Sequence, residues 1–416
     1  MSKDKQPEIR FPGFTDEWEQ RKFNNCFNFP VSTNSLSRAM LNYDNGEIKN
    51  IHYGDILIKY STILNVKEDE IPYITGGELE KYKSNLLENQ DLIFADAAED
   101  ESVGKAVEVS GITNENLVSG LHTIVARVKG EKAPFFWGYY INSDIYHRQL
   151  LRLMQGSKVS AISKGNLQKT NVSFPNRMKE QQKIGTFFKQ LDDTIALQQR
   201  KLDLLKETKK GFLQKMFPKN GAKVPEIRFP GFTEDWEQRK VGDFLNESRI
   251  KGSDGSVARK MTVKLWRKGV VPKEEIYSGS SATQYYIRKS GQFMYGKLDF
   301  LNQAFGIVPS ELDGYESTLD SPAFDIGENM NSIFLLEYVS LTRFYKYQGN
   351  LANGSRRAKR IHVDTFLEMP IPTPSFEEQT KIGGFFKQLD DTITLHQRKL
   401  DLLKETKKGF LQKMFV

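Results

Sequence analysis

Two segments of this chain each occur twice, and this repetition limits the possible folds more than any other feature. Residues 7–22 recur as residues 225–240 with 14 of 16 positions identical. Residues 180–217 recur as residues 378–415 with 34 of 38 positions identical. The two offsets, 218 and 198 residues, differ by 20, so the regions between the repeats differ in length. Units of about 200 residues fit no solenoid period and indicate duplication of a large module.

The regions between the repeats, 23–178 and 241–376, share little sequence with each other. We call the repeated segments the frame and these two regions the inserts. A constant frame that carries two different inserts predicts that the frame does one job twice, while the inserts do two versions of another. The predicted order is an N-terminal repeat segment 1–22, the first insert 23–178, a central helix 179–218, a second repeat segment 219–240, the second insert 241–376 and a C-terminal helix 377–416.

The longer repeat has the pattern of a long helix. From Ile184 onwards, seam positions follow in alternating steps of four and three, as in a coiled coil. Thirty-eight residues would form a rod of roughly 57 Å, and two such stripes in one chain would most simply bury each other. A pseudo-two-fold relation between the halves would make the helices antiparallel. The apolar seam residues are Ile184, Phe188, Leu191, Ile195, Leu202 and Leu205 in the first copy, and Ile382, Phe386, Leu389, Ile393, Leu400 and Leu403 in the second.

Both inserts have the pattern of compact α+β domains built around antiparallel strands. The first contains strand-like runs at 54–60, 91–94 and 121–127 and a helical stretch at 135–154. The second contains runs at 291–295 and 304–308 and a helix near 332–346. Strand, strand, helix and a Gly-Ser loop follow in the same order in both, which is compatible with a shared fold.

Composition gives weaker constraints. The net charge is +7, but the inserts balance to −2 and +2, while each copy of the long repeat carries +3. Charge alone therefore does not establish nucleic-acid binding. The single cysteine, Cys26, excludes an internal disulfide framework and a zinc site built from several thiolates. With no apolar run near 20 residues and no secretory signal, the sequence predicts a cytoplasmic protein without a membrane span.

Basic and amide side chains in the inserts are candidates for contact with phosphates or base edges. The densest cluster is 354–360, where four cations fall within five residues. The alternative is that these charges form a solvated surface, as most charge runs do. The candidate residues are Lys158, Lys164, Arg259, Lys260, Lys264, Arg267, Lys297, Asn302, Arg356, Arg357, Lys359 and Arg360.

Motifs of catalysis are missing from the sequence. There is no phosphate-binding loop, no paired-histidine zinc motif, no nucleophile elbow and no Asn-Pro-Pro-Tyr/Phe run. The five histidines are scattered, and the adjacent carboxylates Asp192 and Asp193 point about 100° apart on a helix, which favours solvated charges over a catalytic pair. We therefore predict no catalytic residue and no metal ligand. Trp18 and the phenylalanines of the short repeat are interpreted as packing residues rather than an aromatic ligand cage.

The chain resembles the specificity subunit of type I restriction–modification systems. The resemblance rests on the PEIRFPGF…W segments, on the two variable regions, and on the repeated KIG.FFKQLDD.I….RKLDLLKE.KKGFLQKMF helices. The stretch 295–308 also resembles that family's target-recognition domains. The resemblance spans essentially the whole chain.

The resemblance implies that each insert is a target-recognition domain that reads one half of a split DNA sequence, and that the helices set the gap between the halves. It implies two modification subunits that bind S-adenosylmethionine and methylate adenine, and two restriction subunits that use ATP and Mg. This chain itself would bind none of these cofactors and would not be an enzyme. A scaffold without a DNA role and an enzyme with an unrecognised motif are the competing hypotheses.

Overall fold

The chain forms two compact units that are not its two halves in sequence. The computed structural model describes residues 6–154, 159–219, 221–274, 279–350 and 360–416. Unit 1 comprises Met1–Gln199 together with Arg398–Val416, and unit 2 comprises Arg200–Gln397. Each unit therefore contains one short repeat, one insert, the first part of one long helix and the last part of the other.

Unit 1 is built from many short strands and helices that precede a long helix. Its strands are β1 (Glu19–Lys22), β2 (Phe27–Asn28), β3 (Leu41–Asn42), β4 (Lys49–Ile51), β5 (Ile63–Asn65), β6 (Tyr73–Ile74), β7 (Leu92–Ala95), β8 (Ala97–Ala98), β9 (Ala106–Ser110), β10 (Leu117–Ser119), β11 (Thr123–Val128), β12 (Ser160–Ala161) and β13 (Asn171–Phe174). Its helices are α1 (Phe23–Cys26), α2 (Tyr53–Ile58), α3 (Leu79–Tyr82), α4 (Phe136–Ile141), α5 (Asp144–Leu151) and α6 (Lys164–Lys169), followed by the start of α7 (Met178–Lys215).

Unit 2 has the same kinds of element in a similar order. Its strands are β14 (Glu237–Lys240), β15 (Leu245–Ser248), β16 (Lys251–Asp254), β17 (Met261–Val263), β18 (Val270–Pro272), β19 (Gln284–Ile287), β20 (Phe293–Tyr295), β21 (Phe305–Ile307), β22 (Glu316–Ser317), β23 (Ala323–Ile326) and β24 (Pro370–Thr373). Its helices are α8 (Ser332–Val339), α9 (Thr342–Gly349) and α10 (Val363–Leu367), followed by the start of α11 (Phe376–Lys413).

The two inserts share one sheet topology. The main sheet of unit 1 has the order β2-β11-β7-β9-β5, and that of unit 2 has the order β15-β23-β20-β21. The first four strands pair antiparallel in both, and β5 is a parallel addition in unit 1. The central strands β7 and β20 are fully buried, as expected for strands covered on both faces. The predicted α+β class with antiparallel strands is confirmed.

The long helices run antiparallel to each other within each unit. In unit 1, α7 meets the end of α11 through the rings of Phe187 and Phe410, whose centroids lie 5.1 Å apart, and through Asp192 and Lys407. In unit 2, Phe212 and Phe385 have centroids 5.0 Å apart, and Lys209 lies 2.6 Å from Asp390. As the residue number rises on one helix, that of its partner falls.

Half of the twelve predicted seam residues are buried and half are partly buried. The buried ones are Ile184, Phe188, Leu202, Ile382, Phe386 and Leu400, and the partly buried ones are Leu191, Ile195, Leu205, Leu389, Ile393 and Leu403.

The predicted strand at 54–60 is wrong, because this segment contains helix α2. The ring Nδ1 of His52 accepts a hydrogen bond from the Gly54 N–H at 3.2 Å, which satisfies a donor that has no partner inside the helix. The carboxylate of Asp55 in the first turn receives two bonds from Arg38, at 2.8 and 2.6 Å. The apolar run after it resembles a strand in composition, but this local capping selects a helix.

The other predicted strands are present, and their ends differ from the predicted ends by at most two residues. The helical stretches 135–154 and 332–346 are each two short helices, α4 with α5 and α8 with α9. In unit 1 the break comes at Ser143, whose hydroxyl caps the second helix. In the described ranges, no helix is both long enough and apolar enough to cross a bilayer.

Candidate nucleic-acid interface

Each insert is fastened to the frame where a glycine of a long helix meets the start of an insert helix. A Cβ at Gly185 would collide with the carbonyl oxygen of Pro134 and lie 2.7 Å from the N of Phe136, where α4 begins. A Cβ at Gly383 would collide with Oδ1 of Asn331, the residue that caps α8. Both glycines allow a backbone approach that a larger residue would prevent.

The same helix start is capped in two different ways. In unit 1, the buried carboxylate of Glu108 accepts hydrogen bonds from the N–H groups of Phe135 at 2.6 Å and Gly138 at 2.8 Å. Burial raises the pKa of Glu108 to about 7, although these two N–H groups act in the opposite direction. In unit 2, Ile307 occupies the matching strand position, and Oδ1 of Asn331 accepts from the N–H groups of Ile333 and Phe334.

The short repeats hold the long helices through buried carboxylates. Arg10 donates two hydrogen bonds to Glu180, at 2.6 and 2.8 Å. Arg228 donates two to Glu378, at 2.7 and 2.8 Å. Such forked pairs are both strong and directional. Because Trp18 is buried among the core residues, the short repeat packs against the core of its unit, as its aromatic pattern indicates.

A phenylalanine near the end of each long helix completes the core of the unit into which it extends. Phe415 packs in unit 1 and Phe217 packs in unit 2, with equivalent neighbours. The rings within 6.5 Å are Phe188, Phe136, Tyr140 and Trp18 around Phe415, and Phe386, Phe334, Tyr338 and Trp236 around Phe217.

Asp96 in unit 1 and Lys297 in unit 2 occupy equivalent positions after the central strand, because their backbones make matching hydrogen bonds. In unit 1, the N–H of Asp96 donates to the carbonyl of His122, and the carbonyl of Asp96 accepts from Ile162. In unit 2, the N–H of Lys297 donates to the carbonyl of Asp320, and its carbonyl accepts from Ile361. We call these two positions and their neighbours the strand-end sites.

The strand-end site of unit 1 carries an acid and imidazole rings. Oδ1 of Asp96 lies 3.2 Å from Nδ1 of His122, whose side chain is half exposed. The ring of Tyr53 stands edge-on to His122 at 5.2 Å and lies 4.7 Å from the ring of His52. Burial raises the pKa of Asp96 and lowers that of His52. The site combines hydrogen-bonding groups with ring faces, which suits contact with bases.

The strand-end site of unit 2 carries cations where unit 1 has imidazole rings. Nη1 of Arg360 lies 2.9 Å from Oδ1 of Asp320. Lys297 is half-buried, and burial lowers the pKa of its ammonium group. Equivalent places on one fold therefore present different donors and acceptors.

A hairpin loop lies against the turn at Asn302 and Gln303, which follows Lys297 in sequence. The loop, residues 264–269, joins β17 to β18, and the N–H of Trp266 donates to the carbonyl of Asn302 at 2.8 Å. The Nδ2 of Asn302 lies 3.3 Å from Oδ1 of Asp299. Lys264 at the start of the loop is exposed.

Arg267, in the same loop, points inward. Its guanidinium group donates two hydrogen bonds to Glu337, at 2.6 and 2.7 Å, and Lys209 donates a third to that carboxylate at 3.1 Å. Burial opposes the charged form of Glu337, but its two cationic partners outweigh burial and lower the pKa. Arg267 therefore anchors the loop, and its charge is already compensated within the protein.

A cavity of about 340 Å³ in unit 2 is lined by Arg259, Lys260, Lys273 and Tyr315, among others. The exposed Arg259 lies over the ring of Tyr315 at 4.3 Å and donates to its hydroxyl at 2.9 Å. Lys260 is buried. Arg259 is held in place at a basic surface, an arrangement suited to a phosphate group.

The remaining predicted residues are spread more widely. Lys164 is exposed and lies 4.6 Å over the ring of Phe29 in unit 1. Lys158, Arg356, Arg357 and Lys359 lie outside the described residues.

The sequence does not single out His122, Tyr53 or Trp266, which the structure places at the strand-end site of unit 1 and in the hairpin loop of unit 2. The left-handed backbone of His122 and Trp266, with φ of 53° and 57°, cannot be read from sequence. The described residues contain no group of three or more His, Cys, Asp or Glu side chains that could hold a metal ion.

Known proteins match this chain over nearly its full length. A protein of Methanocaldococcus jannaschii, named as the specificity subunit of the type I restriction enzyme MjaX, is 21% identical over 435 aligned positions, covering 95% of this chain and 92% of that protein. The S subunit of a type I restriction–modification system from M. genitalium has the same fold, with a TM-score of 0.61, 12% identity and 99% coverage of both chains. A chain from a structure on complex assembly and conformational transition of the type I R-M system gives a TM-score of 0.52 at 15% identity, with 98% and 99% coverage.

The family model agrees with these similarities. The model of the type I restriction modification DNA specificity domain matches residues 15–207 and 326–405, which together are more than half of the chain. The matched ranges contain the first insert, most of α7, and the end of the second insert with most of α11. The resemblance seen in the repeats is thereby confirmed: the chain belongs to the type I restriction modification DNA specificity family.

Proposed function

We propose that this chain selects the DNA sequence on which a type I restriction–modification complex acts, with each insert reading one half of a bipartite target. One observation carries the proposal. Two inserts of the same topology, fastened to a repeated frame by the same joint, present different polar side chains at equivalent strand-end sites. Two weak readers on one chain gain affinity together, because the second binds at a high effective concentration.

The two strand-end sites are proposed as the base-reading surfaces. In unit 1 the readers are His122, Asp96 and Tyr53, and in unit 2 they are Lys297 and Arg360. Arg259, Lys260, Lys264, Lys158, Lys164, Arg356, Arg357 and Lys359 are proposed as phosphate contacts, which position a protein on DNA without reading sequence. Asn302 remains a proposed base reader, and Arg267 is assigned to positioning the hairpin loop.

The frame is proposed to bind two copies of one partner, the modification subunit. Four leucines on the long helices are exposed although they are large and apolar, and their sequence surroundings are nearly identical in the two copies. The Asp192–Lys407 and Lys209–Asp390 pairs set the register, which places Leu197 level with Leu402 in unit 1 and Leu204 level with Leu395 in unit 2. Their exposures are 42%, 67%, 68% and 66% in that order, and exposed apolar groups of this kind mark protein contacts.

The reactions themselves are assigned to the partners. Two modification subunits would bind S-adenosylmethionine and methylate adenine, and two restriction subunits would use ATP and Mg. This chain is proposed to bind none of these cofactors, to catalyse no reaction and to act in the cytoplasm on double-stranded DNA. The frame is also proposed to set the length of the non-specific gap between the half-sites.

The proposal is tested by sequencing methylated adenines at single-molecule resolution in cells that carry this chain and its modification subunits. A bipartite motif is expected. Exchanging residues 23–178 for the first insert of another family member should change one half of the motif and leave the other half and the gap intact. An exchange of residues 241–376 is the matched control and should change the opposite half. A change of both halves by either exchange would contradict separate reading.

A further inference from the structure

We propose that Trp266 is a stacking residue, whose indole packs against DNA bases in the half-site that unit 2 reads. This inference rests on the proposed function and adds a residue to it that the charge pattern does not suggest.

Trp266 is the exception among the four tryptophans of the chain, all of which lie in described ranges. Trp18, Trp137 and Trp236 are 2–4% exposed, whereas Trp266 is 56% exposed. Burial of an indole contributes more than burial of almost any other side chain. The adjacent Leu265 is 38% exposed as well, so the loop tip presents an apolar patch, and such patches mark surfaces that a partner covers.

The loop that carries Trp266 is held in a costly backbone conformation. Trp266 and Arg267 have φ of 57° and 56°, and Gln303, against which the loop lies, has φ of 52°. All three lie in the left-handed region, which residues other than glycine rarely adopt. The N–H groups of Trp266 and Arg267 donate to the carbonyls of Asn302 and Gln303, at 2.8 and 3.0 Å. Such strain persists where function requires one fixed geometry.

The loop is also anchored to the rest of unit 2 by ion pairs. Arg267 next to the tryptophan is bonded to Glu337, and Glu337 to Lys209 of the frame, whose ammonium group also contacts Asp390 at 2.6 Å. With its neighbour fixed in this way, Trp266 has less conformational freedom to lose on binding, which favours affinity.

Charge favours DNA over a protein partner as the occupant. Three of the six residues 264–269 are cations and none is acidic. Lys264 and Lys268 on either side of the tryptophan are exposed, and among the described residues neither ammonium group has an acidic partner. An aromatic ring between two cations matches a base between two phosphates at a step that becomes unstacked on binding, because only there is the π-face of a duplex base open to an indole.

The test uses the complex of this chain with its modification subunits and a labelled duplex that carries the motif found by methylation sequencing. Binding is measured by fluorescence anisotropy at one fixed salt concentration for the wild type and for Trp266→Ala, Trp266→Phe and Trp266→Tyr. We expect Trp266→Ala to weaken binding about 10- to 100-fold, while the two aromatic variants stay within about threefold of the wild type. The unfolding curve should not change, because the indole is not part of a core.

Every outcome decides one of the two proposals. If the wild-type complex does not prefer the motif duplex over an unrelated duplex, the proposed function fails. If the wild type prefers the motif and Trp266→Ala binds it equally well, the stacking role is overturned while the function stands. If Trp266→Ala loses the modification subunits during purification, the indole is a protein contact, which also overturns the stacking role.

Discussion

Each unit contains the same lysine–aspartate ion pair of the frame, but the insert residue that contacts this pair differs between the units. In unit 1, Lys407 pairs with Asp192, and the hydroxyl of Tyr139 donates to that carboxylate at 2.8 Å. In unit 2, Lys209 pairs with Asp390 and also with the buried Glu337. The frame supplies an identical lysine and aspartate each time, and the insert supplies either a neutral phenol or a charged carboxylate with its own arginine.

This difference shows that the inserts diverged from each other at a position where the frame stayed the same. Frame residues that meet the other copy of the frame are kept, and the insert residue opposite them is free to change if its charge is balanced locally. A buried carboxylate without a cation would cost several kcal/mol, so Glu337 is accompanied by Arg267. Tyr139 carries no charge and requires no such partner.

The largest effect is expected from the joint that the two units share. Replacing Gly185 by alanine forces a Cβ into the backbone of Pro134 and Phe136, and should destabilise unit 1 by about 3 kcal/mol or more. At Gly383 the colliding atom is Oδ1 of the Asn331 side chain, so alanine there should displace that helix cap and cost about 1 kcal/mol. Urea unfolding of the purified chain measures this.

Gly211 lies in the same helix as Gly185 with nothing within 4 Å of a Cβ. Gly211→Ala is therefore the matched control and should leave stability unchanged or raise it by up to about 1 kcal/mol. Equal stabilities for Gly185→Ala and Gly211→Ala would show that the joint is not tight.

The next prediction compares the two insert residues that contact the ion pair, Glu337 in unit 2 and Tyr139 in unit 1. Glu337→Gln leaves the cations Arg267 and Lys209 without their shared carboxylate and should destabilise unit 2 by about 3 kcal/mol. Tyr139→Phe removes one hydrogen bond from unit 1 and should cost about 1 kcal/mol. Urea unfolding of both variants compares them. Similar losses of stability in both variants would mean that the charged contact of Glu337 is no more important than the neutral contact of Tyr139.

A third effect, at most roughly 3 kcal/mol, concerns pH and unit 1 alone. The pKa of Glu108 is about 7 in the folded protein against an ordinary 4.5. The folded state therefore binds more protons than the unfolded state between these values. This contribution to stability is fully present below pH 4.5 and is lost as the pH rises to about 7.

The slope is measured by urea unfolding of the wild type and Glu108→Gln between pH 5 and 8. We expect the variant to show a smaller loss of stability between pH 5 and 7. Ile307 at the matching position of unit 2 does not titrate, so unit 2 provides an internal control. An unchanged slope in Glu108→Gln would refute the role of this carboxyl.

The sequence was sufficient for the helices and for the family. The predicted helices 179–218 and 377–416 begin within one residue of α7 and α11, because a seam that repeats over many turns is a strong local signal. The division of each long helix between two units was not predictable. The seams are nearly identical in both copies, so the pattern alone does not say which stretch packs on which.

The candidate site was harder to predict than the frame. Arg267 is indistinguishable in sequence from an exposed cation, since its partner Glu337 lies 70 residues away. The strand-end sites depend on backbone bonds that bring His122 to Asp96, and on a helix at 53–58 where the composition suggests a strand. Tertiary contacts determine both.

The core of unit 1 contains Phe415, which follows all of unit 2 in sequence. During synthesis on the ribosome, unit 1 is therefore begun before unit 2 and completed after it. Unit 2 has all of its residues once position 397 has emerged, while the first insert receives its last core ring only when Phe415 has emerged. A nascent chain that stops between these two positions would contain all of unit 2 but an incomplete unit 1, so the damage would fall on the unit that was begun first.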